Sequence, residues 1–169
     1  MRLAPAGATV VVAMSGGVDS SVAAASLLRA GQRVIGATML LWSERETPAA
    51  VERARAVADS LGIAHHVIDL RDGFRRAVVE YLIAGYSAGR TPNPCLACNQ
   101  HIKFGLLLET ARRLGGARLA TGHYVRKVWR DGRWRLWRGL DRGKDQSYVL
   151  YMLGQEQLAQ TEFPLGERT

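Results

Sequence analysis

The sequence predicts an α/β fold: an open, mostly parallel twisted sheet with helices on both faces, extended by a β-hairpin near the C-terminus. Three observations predict it. Apolar runs of strand length alternate with helical spacing as far as residue 86, and a glycine stands directly behind each of the first two helical stretches. Asp131-Gly132 separates two further strand-like segments, 124–130 and 133–139. Alternating strands and helices favour a parallel sheet, and Asp-Gly between strands is a hairpin signal.

Residues 8–13 contain Val10-Val11-Val12 and end against Ser15-Gly16-Gly17, which reads as a buried strand followed by a loop. Residues 20–30 (SSVAAASLLRA) read as a helix stopped by Gly31. A second strand follows at 34–41. Residues 47–61 place Val51, Ala54, Val57, Ala58 and Leu61 on one helical side, with Gly62 as the stop. Residues 63–70 read as a third strand and 72–86 as a third helix. The pattern breaks at 87–99, rich in Gly, Pro and Asn, where a long loop is expected; loops of that length are commonly functional. Residues 102–114 are helical again, and 117–121 form a short strand ending at Gly122-His123. After the hairpin, 146–153 and 155–160 read as short helical segments. There is no internal repeat, and 169 residues suit one domain, 1–169.

No stretch approaches the ~20 apolar residues of a membrane span, and the first residues carry no apolar signal core. A cytoplasmic protein with no membrane partner is expected. The net charge of +8 has two explanations, a coding bias towards Arg or a polyanionic partner. The basic residues cluster: Arg126, Lys127, Arg130, Arg133, Arg135, Arg138, Arg142 and Lys144 face only Asp131 and Asp141 in the same stretch. Charge alone does not distinguish tRNA from another polyanion. The two cysteines, Cys95 and Cys98, are too close together to staple a fold. Redox, metal or nucleophilic use fits them better.

The sharpest local motif is Ser15-Gly16-Gly17-Val18-Asp19-Ser20, between a strand and a helix. Its glycines let backbone N–H groups approach an anion, and the helix N-terminus favours negative charge there. Ser15, Ser20 and Ser21 offer hydroxyl donors. Asp19 would repel bare phosphate, so a bridging Mg²⁺ is expected beside it. The string lacks the lysine of a Walker A loop. The plain alternative is a tight turn. It resembles the pyrophosphate loop (PP-loop) of the N-type ATP pyrophosphatases, which implies cleavage of ATP between the α- and β-phosphates and transient transfer of AMP to a substrate oxygen.

The second constellation is Thr91-Pro92-Asn93-Pro94-Cys95-Leu96-Ala97-Cys98-Asn99. Pro92 and Pro94 stiffen it. Cys98 lies shortly before the helix expected from Ile102, with Lys103 nearby, and both features would favour its thiolate.

Taken with AMSGGVDSS at 13–21, the strings AGRTPNPCLACNQHIKFG at 88–105, ATGHYVR at 120–126, RGLDRGKDQSYVLYML at 138–153 and the turn Pro164-Leu165-Gly166 make the chain resemble the tRNA-specific 2-thiouridylases of the MnmA type. That resemblance implies an adenine nucleotide alpha hydrolase-like, Rossmann-like fold with ATP at the C-terminal ends of the strands. It implies that Ala13, Met14, Ser15, Gly16, Gly17, Val18, Asp19 and Ser20 hold ATP phosphates, that Met39 contacts adenosine and that Gly122 lines the nucleotide site. Asn93, Pro94 and Cys95 match the segment that faces the target base, and Lys144, Asp145 and Gln146 match a tRNA-contacting stretch. Cys98 matches a catalytic cysteine that works with a second, downstream cysteine. The reaction implied is adenylation of the 2-oxo group of the wobble uridine, then replacement of AMP by sulfur from a persulfide donor protein.

The family's second cysteine and its C-terminal tRNA-binding regions lie beyond residue 169, so the resemblance covers the adenylating domain. Many relatives have Asp where this chain has Cys95. It reads as a resolving partner of Cys98, as a spectator, or, with Cys98, as two ligands of an iron–sulfur cluster completed from elsewhere. His101 adds no common zinc-finger spacing. One of His65-His66 is expected to face solvent, and His123 follows a strand end inside a matching string. Trp129, Trp134 and Trp137 interleave with arginines, which suits RNA stacking as well as cross-strand packing. Asp145 reads as a cap on the next helix rather than a general base. Three functions compete: an adenylating domain acting on tRNA uridine, another PP-loop enzyme such as an amide synthetase or a different sulfur transferase, and a nucleotide- or RNA-binding module left by truncation, without turnover.

Overall fold

A computed structural model describes residues 7–42 and 49–169. Five parallel strands form one sheet in the order β3-β2-β1-β4-β7, and β5 and β6 form a separate antiparallel hairpin. β1 (Thr9–Ala13) lies at the centre, flanked by β2 (Arg33–Leu40) and β4 (Arg118–Ala120). Its three valines are fully buried because both faces of the sheet are covered. Val10 and Val12 pack on α1 (Val18–Arg29) and α2 (Ala49–Leu61) through Ala23, Ala24, Leu27, Ala54 and Ala58. Val11 points the other way, into a cluster with Phe104, Leu107, Leu119, Val125 and Phe163. Period-2 alternation of the strand thus divides the core into two layers.

Helices stop where left-handed glycines follow them, at Gly31 (φ +76°) and Gly62 (φ +65°). The expected helix from residue 47 is described from Ala49; Thr47 lies outside the described residues. β3 (Ala64–Asp69) is an edge strand. The helix expected at 72–86 runs as α3 (Arg71–Phe74), a π-helical turn (Arg75–Val79) and α4 (Glu80–Ser87).

The largest correction falls at 87–99. The loop ends at Asn93, and helix begins at Pro94, eight residues earlier than Ile102. α5 (Pro94–Ala97) passes into a π-helical stretch, Cys98–Leu107, and then α6 (Leu108–Arg113). Asn93 Oδ1 accepts from the N–H groups of Cys95 (3.0 Å) and Leu96 (3.3 Å), and Pro94 occupies the first helical position. An Asn cap followed by Pro is a strong helix start. Both cysteines therefore sit on a helix.

β5 (Val125–Arg130) and β6 (Arg133–Arg138) form the predicted hairpin, turning through Asp131 (φ +53°) and Gly132 (φ +73°). The helical reading of 146–153 shrinks to one 3₁₀ turn, Ser147–Val149. Beyond α7 (Gln155–Ala159), β7 (Thr161–Glu162) adds an unanticipated fifth strand, its Glu162 buried and paired with Arg118 at 2.9 Å. Lys127 does not belong to the surface charge. It is 1% exposed, donates to the carbonyls of Leu158 (2.8 Å) and Thr161, and lies 4.3 Å from the Trp134 ring centroid. Burial pulls its pKa down to about 8. None of the described helices is long and apolar enough to cross a membrane.

Candidate active site

In sequence order the strands run outward from β1 through β2 to β3, and the chain then returns to β4 on the other side of β1. Such a reversal opens a crevice at the carboxyl ends of the strands. A cavity of about 360 Å³ occupies it, within the ~300–1,000 Å³ range of small-molecule sites. Ala13, Met14, Ser15, Asp19, Ser20, Met39, Gly122 and Gln146, all expected site residues, line it. So do Thr38, Leu41, Ala50, Lys103, Thr121 and His123.

Gly16, Gly17 and Val18 shape the loop without lining the cavity. Gly16 has φ +71°, and a Cβ there would lie 2.5 Å from the Ala50 carbonyl oxygen. Glycine is required on both counts. Gly17 caps α1 in an extended conformation, so the first N–H groups of that helix have no helical acceptor. Ser20 and Ser21 correct the expectation of three hydroxyl donors: both donate to the Gly17 carbonyl, at 3.0 and 2.9 Å. Ser20 Oγ also accepts from the Ser15 N–H. The serines stitch the loop shut, and the exposed Ser15 lines the cavity beside the N-terminus of α1.

The Asp19 carboxylate accepts from the Tyr124 hydroxyl at 3.1 Å, and that hydroxyl accepts from Lys144 Nζ at 3.2 Å. The hydrogen bond to Tyr124 raises the Lys144 pKa. Lys144 therefore reaches the loop through Tyr124, while Gln146 reaches the cavity directly and its Oε1 accepts from the Tyr124 N–H. Asp145 accepts from Gly139 N, Ser147 N and Ser147 Oγ. Burial alone would raise its pKa, but these bonds outweigh it and hold the carboxyl low. It ties the turn that leads into the 3₁₀ segment but does not cap it as expected, since the N-cap position is Gln146 and carries no side-chain cap bond. Tyr124 was missed; its signal was its place immediately after the Gly122-His123 strand end.

His123 stands on the opposite wall. Burial, with a smaller contribution from Lys103, lowers its pKa to about 3. Its Nδ1 lies 2.8 Å from Thr121 Oγ1, and its ring packs between Phe104 and Phe163. It stays neutral at pH 7. Protonation is favoured in the unfolded chain below the ordinary value near 6.5, so stability is complete above that pH and falls as pH drops towards 3. Between pH 7 and 5 the loss expected from this residue is ~2 kcal/mol. Urea denaturation at the two pH values, with His123→Asn as the reference that lacks the loss, measures it. His65 is different: Thr38 Oγ1 donates to the Met14 carbonyl and so accepts from His65 Nε2, which assigns the tautomer. His66 faces solvent.

Asn93, Pro94, Cys95 and Cys98 do not line the cavity. Cys98 packs with Ala97 and Ile102 in a small cluster that also takes Met39 and Leu41 from the cavity wall. Thiolate is disfavoured there, contrary to expectation. Burial raises the thiol pKa, with the charge of Lys103 opposing it and Cys95 adding to it. The earlier helix start explains the reversal, because it is the exposed Cys95 that stands in the first turn. Lys103 follows Cys98 by five positions, the i→i+5 spacing of a π-helical hydrogen bond. The wide helix thus joins the thiol to the cavity. Both cysteines are free, and among the described residues no third His, Cys, Asp or Glu joins them as a metal site.

The profile of the family described as the tRNA methyl transferase HUP domain matches residues 8–169. The tRNA-specific 2-thiouridylase MnmA of Moorella thermoacetica is 54% identical over 172 residues, covering 94% of this chain and 48% of that protein. The chain spans about half the length of the curated relatives it matches. Among solved structures, the U34-tRNA thiolase NcsA from Methanococcus maripaludis, with its [4Fe-4S] cluster, superposes with a TM-score of 0.58 at 19% identity, over 97% of this chain and 53% of that one. A 4-thiouridine synthetase–RNA complex with bound ATP gives 0.52 at 21%, over 70% and 31%. At these identities the structures share the fold.

Proposed function

The chain belongs to the tRNA methyl transferase HUP domain family, and on that premise we propose that it is the ATP-dependent, adenylating part of a tRNA uridine 2-sulfurtransferase. The single observation that carries this reading is the helix 94–107, which runs from two free thiols to Lys103 in the wall of an anion-ready cavity. The nucleotide's phosphates lie on the N–H groups of the loop and α1, with Lys103 opposite. Adenosine lies against Met39 and Gly122. Asp19, held by Tyr124, would hold a Mg²⁺ that would offset the phosphate charge. The uridine 2-oxo oxygen attacks the α-phosphorus, and pyrophosphate leaves. Adenylation converts that oxygen into a good leaving group. The terminal sulfur of a Cys98 persulfide, loaded by exchange with the donor, bonds to C2 as AMP departs. A second thiol then attacks the Cys98 sulfur and breaks the S–S bond, which frees the 2-thiouridine and leaves a Cys98 disulfide for an external thiol to reduce. The partners are therefore tRNA and a persulfide-bearing donor protein.

The cysteine pair fits an iron–sulfur cluster poorly. Among the described residues two thiols stand where a cluster usually takes four, and burial raises the Cys98 thiol pKa. Mass spectrometry of tRNA, after incubation with ATP, a persulfide donor and the chain, tests the function. We expect incorporated sulfur, lost on Cys98→Ala and kept on Cys95→Ser if a donor thiol completes the exchange. Sulfur incorporation unaffected by Cys98→Ala overturns the assignment.

A further inference from the structure

The hairpin has one inward and one outward face. Val125, Lys127, Leu136 and Trp134 turn towards the body and are buried there or packed on the core. Trp129 pairs across the strands with Trp134 on that same face, with centroids 5.1 Å apart. Cross-strand packing therefore accounts for two of the three tryptophans. The register then places Arg126 opposite Trp137, Val128 opposite Arg135 and Arg130 opposite Arg133 on the outward face. Four of those six side chains are arginines and one is an exposed tryptophan. Asp131, in the turn, pairs with Arg135 at 2.9 Å and lies 3.7 Å from Arg130. One acid cannot balance four guanidinium groups.

We propose that this outward face is an RNA-binding surface that holds a single-stranded segment beside the active site. The inference rests on the reading of the substrate as tRNA and adds a surface on which it lies. Two observations select RNA over another polyanion. The Arg126 guanidinium lies 5.6 Å from the Trp137 ring centroid, a flat cationic and aromatic pair of the kind on which unpaired bases stack. The hairpin also begins at the cavity. His123 lines the wall, Tyr124 bonds Asp19, and the returning strand leads to Gln146 in the same wall. A strand whose base enters the cavity meets the Arg126–Trp137 pair first and the tip arginines ~14 Å farther out, at ~3.4 Å per residue. Arginines on alternate positions suit phosphates along that path, whereas an acidic peptide would leave the stacking pair unused.

Fluorescence anisotropy with labelled tRNA, over a range of salt, tests the surface on the 169-residue chain. We expect Arg126→Ala/Arg130→Ala/Arg133→Ala to weaken tRNA binding at least tenfold and to lower the slope of log K against log salt by about 2, at ~0.7 per single-stranded phosphate contact. The matched Arg→Lys variant keeps the slope, which separates lost charge from a misfolded hairpin. Trp137→Ala weakens binding about fivefold or more with the slope unchanged. ATP affinity stays at the wild-type value in all variants, and saturating tRNA restores turnover. Wild-type affinity and slope in the triple-alanine variant, on a chain that binds tRNA, overturn the proposed surface and leave the tRNA reading intact. A wild-type chain that does not bind tRNA overturns both.

Discussion

Replacing Lys103 with Met is expected to lower ATP-dependent adenylation at least 100-fold while leaving the fold in place. The side chain lines the cavity from the π-helical stretch, in the same wall set as Ser15, Asp19 and Ser20 of the loop. A fixed cation stabilises charge that develops on a departing pyrophosphate, and losing one such group costs about 10²–10³ in rate. The same charge acts on two neighbours, opposing the upward push on the Cys98 thiol and adding to the downward push on His123. Lys103→Met should therefore slow alkylation of Cys98 at pH 8 and raise the pKa of His123 by NMR. Lys103→Arg should retain much of all three properties. A rate loss without change at Cys98 or His123 would place the lysine elsewhere.

Gly122→Ala is the second large effect, and its cause is steric. A Cβ at Gly122 would lie 2.9 Å from the Ser20 nitrogen and 3.0 Å from the Asp19 carbonyl carbon. These are backbone atoms at the start of α1, so the strand end and the helix must part. The phosphate-facing N–H groups move with the helix. We expect ATP affinity to fall at least tenfold, and stability to fall by about 1–3 kcal/mol, typical of overpacking. Calorimetric titration with ATP and urea denaturation measure the two separately. Unchanged ATP affinity would show that the nucleotide does not use this end of the cavity.

Much of this architecture is legible in the sequence because its elements are bounded by chemistry that acts locally. Val10-Val11-Val12, Gly31, Gly62 and Asp131-Gly132 each fix one feature without help from distant residues. The loop motif is legible for the same reason, since Ser15 to Ser20 must pass from strand to helix within a few bonds. The helix start at Pro94 was also encoded locally, by Asn93 and the proline. It was obscured because Pro and Asn, read as composition, suggest a loop. That single difference moved both cysteines onto a helix, and burial of Cys98 there reversed the expected direction.

Other features depend on tertiary partners. β7 is two residues long, Thr161 and Glu162, and only its pairing with β4 makes it a strand. Lys127 reads as surface charge until Leu158, Thr161 and Trp134 enclose it. Thr38, Thr121 and Lys103 reach the cavity because strand order brings their elements together, and no spacing along the chain shows that. Tyr124 and Lys144 are 20 residues apart and meet only across the base of the hairpin. The strand-end positions of Thr38 and Thr121 are the available hint, since crevices form at the carboxyl ends flanking a reversal of strand order.

The most direct test is product analysis of ATP labelled on the α- or γ-phosphate, incubated with the chain, Mg²⁺ and unmodified tRNA. Pyrophosphate release that depends on tRNA is expected, with AMP carried transiently on the RNA, and both are lost on Asp19→Ala. ADP and free phosphate as products, or pyrophosphate released at the same rate without tRNA, would contradict adenylation of the RNA.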